Sequence, residues 1–378
     1  MKKVQISAAC GYAVLVANVL AILVFGDVAR VQGNPQNADD SNHWHLAIGA
    51  FPDDGFYPTI GDTVSLDQWA AFVGAPSRFM SVYPTWFSAS GTCQAFPASM
   101  LQQWTDQGAL PVVIWRAAQE GTSAPDPNFQ LARIAEGRYD ACIEQFARGA
   151  ATWGGRFVLR LFHEGNGAWD NWDTGVDPSF PSGYWNNNTP QDYVEAWRHV
   201  YLVFRDAYAD GGRKTRDEFS DNVIWHWCPY RSESARSYYV PLAQIYPGDD
   251  FVTWTGMDAY NMATNPQSNS PGDDPETVLL PTYREILAIP RFERTKMMIG
   301  EVGTMESAIP GDKAQWIREA FEHVIPEEMP TVIGVSYFSR FVTQKDFDWR
   351  VDTSSDATAG AGKGSLDAYR EVVRIYSR

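Results

Sequence analysis

The sequence predicts an α/β protein, a (β/α)8 TIM barrel forming a single domain, and three observations predict it. Eight short runs are apolar almost throughout, helical patterns separate them, and two glutamates stand at the ends of runs. The runs are His45–Phe51, Phe79–Trp86, Leu110–Trp115, Phe157–His163, Val223–Trp227, Phe251–Tyr260, Met297–Val302 and Thr331–Phe338. Between them lie helical patterns such as Ser65–Val73, Ser99–Gln107, Asn128–Trp153, Thr189–Tyr208 and Asp312–His323. Continuously apolar strands alternating with helices are the mark of a parallel sheet buried on both faces. Eight such units over roughly 330 residues suit a barrel, typically ~250 residues long, with enlarged loops. A doubly wound open sheet is the alternative. No glycine-rich phosphate loop supports it, because Gly154-Gly155 precedes a strand and opens no helix.

The N-terminal 30 residues read differently. Lys2 and Lys3 precede an uncharged run, Ile6–Phe25, that Asp27 and Arg30 close. That pattern is a signal peptide or a membrane anchor, and in either case the rest of the chain lies outside the cytoplasm. Residues 31–42 are polar and aperiodic, a linker, and 43–378 form the barrel domain. The expected location is therefore secreted or extracytoplasmic, with anchoring by the apolar segment as the alternative to cleavage. Beyond the leader stand Cys93, Cys142 and Cys228. They allow one disulfide and one leftover thiol, with the pairing left open.

Composition narrows the partners. A net charge of -16 argues against nucleic acid and anionic membranes, both of which need basic patches. Fifteen tryptophans and seventeen tyrosines lean towards carbohydrate, since rings stack on the apolar faces of sugars. The six histidines are scattered, and neither CxxC nor HExxH occurs. No metal or other cofactor is expected.

The chemistry centres on the two glutamates. Glu164 follows the fourth run, in Arg160-Leu-Phe-His163-Glu164-Gly-Asn166-Gly-Ala-Trp169. Glu301 ends the seventh, in Ile299-Gly300-Glu301-Val-Gly303. Carboxylates at the C-terminal ends of barrel strands occupy the face that carries active sites. A pair of them suits glycosidic bond cleavage, in which one protonates the leaving oxygen and the other attacks or activates water. Glu164, beside Phe162 and Trp169 and near a second carboxylate, is expected to hold its proton. Glu301 is expected to be ionised, with Tyr260, at the end of the sixth run, as a hydroxyl donor. His163 and Arg160 are placed to orient Glu164 or bind substrate. Trp115-Arg116, ending the third run, and His226-Trp227-Cys228 of the fifth are candidate cleft residues, with plain packing as the competing role. The loops Gly165–Asn188 and Asn261–Pro275 are rich in Trp, Tyr, Asn, Asp and Pro and suit a substrate cleft.

The segment Arg160 to Trp169 resembles the acid/base motif of glycoside hydrolase family 26. Further segments are similar in the same order: Ala196-Trp197-Arg198-His199, Gly256-Met-Asp258-Ala-Tyr260, Ile299-Gly300-Glu301-Val-Gly303 and Asp348-Trp349-Arg350-Val351-Asp352. The resemblance spans roughly residues 45–375. It implies a clan-A barrel, acid/base Glu164, nucleophile Glu301, and retention of anomeric configuration through a covalent glycosyl-enzyme. It also implies His163, Trp169 and Tyr260 as supporting residues and endo-β-1,4-mannanase as the commonest activity. Three positions depart from the mannanase pattern: Trp115-Arg116 in place of Trp-His, Trp227-Cys228-Pro229 in place of Asn-Pro, and Tyr337-Phe338 where a Trp is common. Tyr337 is taken as the substrate-facing residue of the eighth strand.

The expected function is thus a retaining endo-β-glycanase on a polysaccharide, β-1,4-mannan first. Another β-glycan (mixed-linkage glucan, xylan or a bacterial exopolysaccharide) is the near alternative. Non-catalytic carbohydrate binding and metal-dependent hydrolysis on the same barrel are the distant ones.

Overall fold

A computed structural model describes residues 20–22, 47–50, 70–212, 216–233, 236–262, 273–289, 296–305, 312–339, 341–342, 347–351 and 364–376. The linker, most of the N-terminal apolar run and most of the Asn261–Pro275 loop lie outside them. Ten strands close into one barrel: β1 (Leu20–Ile22), β2 (Ala47–Ala50), β3 (Phe79–Val82), β4 (Thr85–Phe87), β5 (Leu110–Gln119), β6 (Phe157–Leu161), β7 (Val223–Trp227), β8 (Trp254–Asn261), β9 (Lys296–Thr304) and β10 (Val332–Tyr337). β3, β5, β6, β7, β8, β9, β10 and β2 follow one another around it in parallel, and β4 continues β3 beyond Pro84 along the end of β5. These are the eight runs read from the sequence.

One strand is additional. β1 pairs antiparallel with both β2 and β3 and closes the circle between them. It comes from the segment read as leader or anchor. Its backbone satisfies the N–H and C=O groups that the facing edges of β2 and β3 would otherwise leave unpaired. Among the described residues, no helix is long and apolar enough to cross a membrane.

Side-chain alternation sorts the strands into two layers. Phe79, Val112, Ile114, Val158, Ile224, Trp254 and Met298 point inward and fill the barrel. Their neighbours Val113, Trp115, Leu159, Trp225, Ile299, Val335 and Tyr337 point outward against the helices. Helix 140–153 shows how the outer layer forms. Its apolar residues Cys142, Ile143, Phe146, Ala147, Ala150 and Ala151 recur at helical spacing and are all buried. The helix stops at Gly154, which takes the left-handed φ of 72° common just beyond helix ends. Three residues later β6 begins, and it delivers Arg160 and Glu164 to the barrel mouth.

The layering corrects three expected cleft residues. Trp115 is buried on the outer face and stacks on Phe146 at 4.4 Å between ring centroids. Tyr337 is likewise turned outward, 5.4 Å from the Tyr369 ring. In both strands the inward residue is the next one along, Arg116 or Phe338. His226 does point inward but lies too deep: it is fully buried, and its Nε2 sits 3.2 Å from the Met298 carbonyl. Burial, and then the charge of Arg160, push its pKa down to about 3, so it is a neutral packing residue.

The open cysteine question resolves as Cys93–Cys142, with Cys228 a buried free thiol. The bridge ties the loop after β4 to helix 140–153 across 49 residues. Closing a loop of that size constrains the unfolded chain, so Cys93→Ser should cost roughly 2–4 kcal/mol in denaturant unfolding. Unchanged stability would contradict that role.

Candidate active site

The chain leaving β6 is held in an unusual conformation. Phe162 and Glu164 have φ of 43° and 55°, a left-handed backbone that costs energy in non-glycine residues. Neighbours fix it. The Tyr193 hydroxyl donates to the Phe162 carbonyl at 2.8 Å, Trp172 Nε1 to the His163 carbonyl at 2.7 Å, and the Glu164 amide to the Cys228 carbonyl at 2.8 Å. Asn166 then exchanges two hydrogen bonds with the Tyr230 backbone, at 2.7 and 2.9 Å, tying this turn to the one after β7. Asp173 accepts the amides of Trp169 and Asp170 and closes the loop. The fixed spacing of the His-Glu-x-Asn-Gly-x-Trp segment is the set of contacts this turn requires. Gly167 lies under the Trp169 ring, where a Cβ would come within 2.4 Å of it. Trp169 Nε1 is thereby aimed at Glu164 Oε2, 2.7 Å away.

Glu301 reaches the mouth through a bulge. Met297 and Ile299 face outward, so plain alternation would send residue 301 outward as well. The pairing with β8 instead steps from Met257↔Ile299 to Asp258↔Glu301, and the pairing with β10 skips at the same place. The extra residue is Gly300, and it turns Glu301 inward. Only glycine suits it, because a Cβ would meet Asp258 Oδ1 and Cys228 Sγ at 2.7 Å and Arg160 Cζ at 2.9 Å. Gly300→Ala should displace the Glu301 carboxylate and, in a folded protein, lower kcat by about 10²-fold. Wild-type kcat in that variant would show that the bulge does not position Glu301.

The two carboxylates occupy opposite environments. Glu301 is buried and accepts from three donors: the Tyr83 hydroxyl at 2.7 Å, Arg160 Nη1 at 3.0 Å and the Tyr260 hydroxyl through a short hydrogen bond. Arg160, itself buried, also pairs closely with Asp258. Glu164 is partly buried with the Trp169 indole on it. Burial first, then the charges of Glu301 and Asp170, push its pKa up to about 8. It therefore carries a proton at neutral pH. Oxygens of Glu164, Asp258 and Glu301 lie within 4.8 Å of one another. Such a cluster could suit a cation by distance alone. Here the Arg160 guanidinium bonds both Asp258 and Glu301 and supplies the positive charge.

His163 is buried beside Asp170, with Nε2 3.9 Å from Oδ2. Burial, and then the positive charges of Arg160 and Arg116, hold its pKa well below the usual histidine range, so it is neutral. Arg116 pairs with Asp170 at 3.3 Å. Beside the carboxylates, Tyr230, Tyr260, Met305 and Trp349 form an apolar cluster, flanked by Trp169, Met262 and Phe338. The structure thus brings together Glu164, Glu301, Arg160, His163, Trp169 and Tyr260, and leaves Trp115, His226 and Tyr337 elsewhere.

Tyr83 was missed by the sequence reading. It is four residues beyond the inward-facing Phe79, so period-two alternation would have found it. Phe338 and Trp349, 5.4 and 5.1 Å from the Tyr260 ring, take the wall position expected of Tyr337.

Comparisons with known proteins agree with this geometry. Residues 150–271 match the sequence model of Glycosyl hydrolase family 26. Endoglucanase H of Acetivibrio thermocellus is 28% identical over 243 residues, 64% of this chain and 22% of that protein. Beta-1,3-xylanase TXYA of a Vibrio species is 24% identical over 213 residues, 54% of this chain and 38% of the relative. This chain thus covers well under half the length of either. Among solved structures, a GH26 beta-mannanase from Bacteroides ovatus superposes with a TM-score of 0.50 at 15% identity, covering 82% of each chain, a likeness of fold. The family match lies over the turn that carries Glu164 and the strand that carries Tyr260, so this part of the chain is similar to glycosyl hydrolase family 26.

Proposed function

We propose that this protein is a retaining endo-β-glycanase that cleaves a β-linked polysaccharide by double displacement. The observation that carries the proposal is the pairing of Glu164 and Glu301, closely spaced and oppositely treated by their surroundings. In the first step Glu164 gives its proton to the glycosidic oxygen while Glu301 attacks the anomeric carbon, forming a glycosyl ester. In the second, Glu164, now ionised, takes a proton from water, and the water displaces Glu301. A retaining pair stands ~5–5.5 Å apart and an inverting pair ~6.5–9.5 Å. Oxygens within 4.8 Å of one another support the former. Arg160, Tyr83 and Tyr260 hold the Glu301 carboxylate in place for attack. Trp169 fixes Glu164 Oε2, leaving the other oxygen to carry the transferred proton. At the edge of the aromatic cluster the partly exposed rings of Trp169 and Phe338 offer faces for sugar stacking.

β-1,4-Mannan is the first substrate to test. The relatives named as an endoglucanase and a β-1,3-xylanase support β-glycans more broadly. Reducing-end release by the full chain should be measured on mannan, glucomannan, mixed-linkage β-glucan, β-1,4-xylan and β-1,3-xylan, with Glu301→Ala as control. Release from one polymer, lost in the variant, names the backbone sugar. Silence on all five from a folded protein overturns the proposal in favour of a binding role.

A further inference from the structure

Cys228 follows β7 directly, and it contacts both halves of the site. Its carbonyl accepts the Glu164 amide. Its thiol lies 3.3 Å from Asp258 Oδ1, Asp258 pairs with Arg160, and Arg160 Nη1 donates to Glu301 at 3.0 Å. Cys228 and Asp258 are fully buried and Arg160 nearly so, which shields this chain of contacts from bulk solvent. The absent side chain of Gly300 makes the room for it, since a Cβ there would touch Cys228, Asp258 and Arg160 at once.

We propose that Cys228 is a positioning residue: its thiol donates to Asp258, fixes that carboxylate against Arg160, and so sets the guanidinium that holds Glu301. This rests on the hydrolase reading above. Burial pushes the Cys228 pKa up to about 12, so the thiol keeps its donor proton throughout the working pH range. The alternative of a nucleophilic cysteine lacks a base, because the adjacent Asp258 is already engaged by Arg160.

Cys228→Ala and the near-isosteric Cys228→Val remove the donor, while Cys228→Ser restores one. On the polymer identified above, both apolar variants should lose about tenfold in kcat with KM within twofold, and serine should recover most of the loss. Retained kcat in the alanine and valine variants overturns the proposal. So does an equal loss in all three that tracks a fall in Tm, which would mean packing alone. A second readout does not depend on activity. The infrared S–H stretch, isolated as wild type minus Cys228→Ala, should sit at the low frequency of a hydrogen-bonded thiol and move in Asp258→Asn. A free-thiol frequency, insensitive to Asp258, overturns the proposal. A bonded frequency in a protein silent on every polymer would retain the Cys228–Asp258 contact and remove the hydrolase reading alone.

Discussion

Glu301→Ala is expected to abolish turnover, lowering kcat by on the order of 10⁴-fold or more while the protein stays folded. The bulge at Gly300 and three donors converge on this one carboxylate, and no neighbour can substitute for it. Asp258 is the nearest candidate, but it is fully buried and engaged by Arg160. The same variant gives a positive signal as well. Azide is small enough to enter the space left by the carboxylate and attack the anomeric carbon directly. It should restore turnover of a substrate with a good leaving group and yield a glycosyl azide of inverted configuration. Near-normal activity in Glu301→Ala without azide would remove Glu301 from the mechanism.

Glu164→Gln is the second large effect, and it should depend on the leaving group. General acid assistance contributes about 10²–10⁴-fold, so loss of that size is expected on a polysaccharide. An aryl glycoside whose phenol departs without a proton should lose far less in its first step. The pH profile carries the same information. Burial and neighbouring carboxylates raise the Glu164 pKa to about 8, so its acid form persists through neutrality and disappears as pH rises past that value. The basic limb of kcat/KM in the wild type should therefore fall near pH 8, and the limb should vanish in Glu164→Gln. A basic limb unchanged in the variant, or a loss independent of leaving group, would contradict the acid assignment.

The fold and much of this site were legible in the sequence because both depend on local patterns. The parallel barrel follows from eight continuously apolar runs, and those runs are the strands observed. Glu164 was legible because its turn needs several residue types at one spacing: Asn166 for the Tyr230 backbone, Gly167 for the Trp169 ring and Trp169 for the carboxyl. The misreadings share a physical cause. Trp115 and Tyr337 are one residue out of phase with the inward face, and a strand-end position alone does not show phase. Counting by twos from Ile114 or Gly334 gives Arg116 and a turn towards Phe338 instead. His226 has the right phase but the wrong depth, since the barrel interior is filled to the level of Met298. Glu301 shows the reverse case. Strict alternation from Met297 would have turned it outward, and only the Gly300 bulge, a non-local adjustment to β8 and β10, brings it to the mouth. The Cys93–Cys142 bridge was likewise beyond local reading, because it depends on where helix 140–153 packs.

The most direct test of the account is the stereochemistry of the first product. Proton NMR of the newly released reducing end, followed from the first minutes of hydrolysis, distinguishes the two anomers before mutarotation mixes them. Two carboxyls whose oxygens lie within 4.8 Å predict that the β-anomer appears first, through a glycosyl ester on Glu301. Initial formation of the α-anomer would mean that water attacks directly, and it would contradict the assignment of Glu301 as nucleophile.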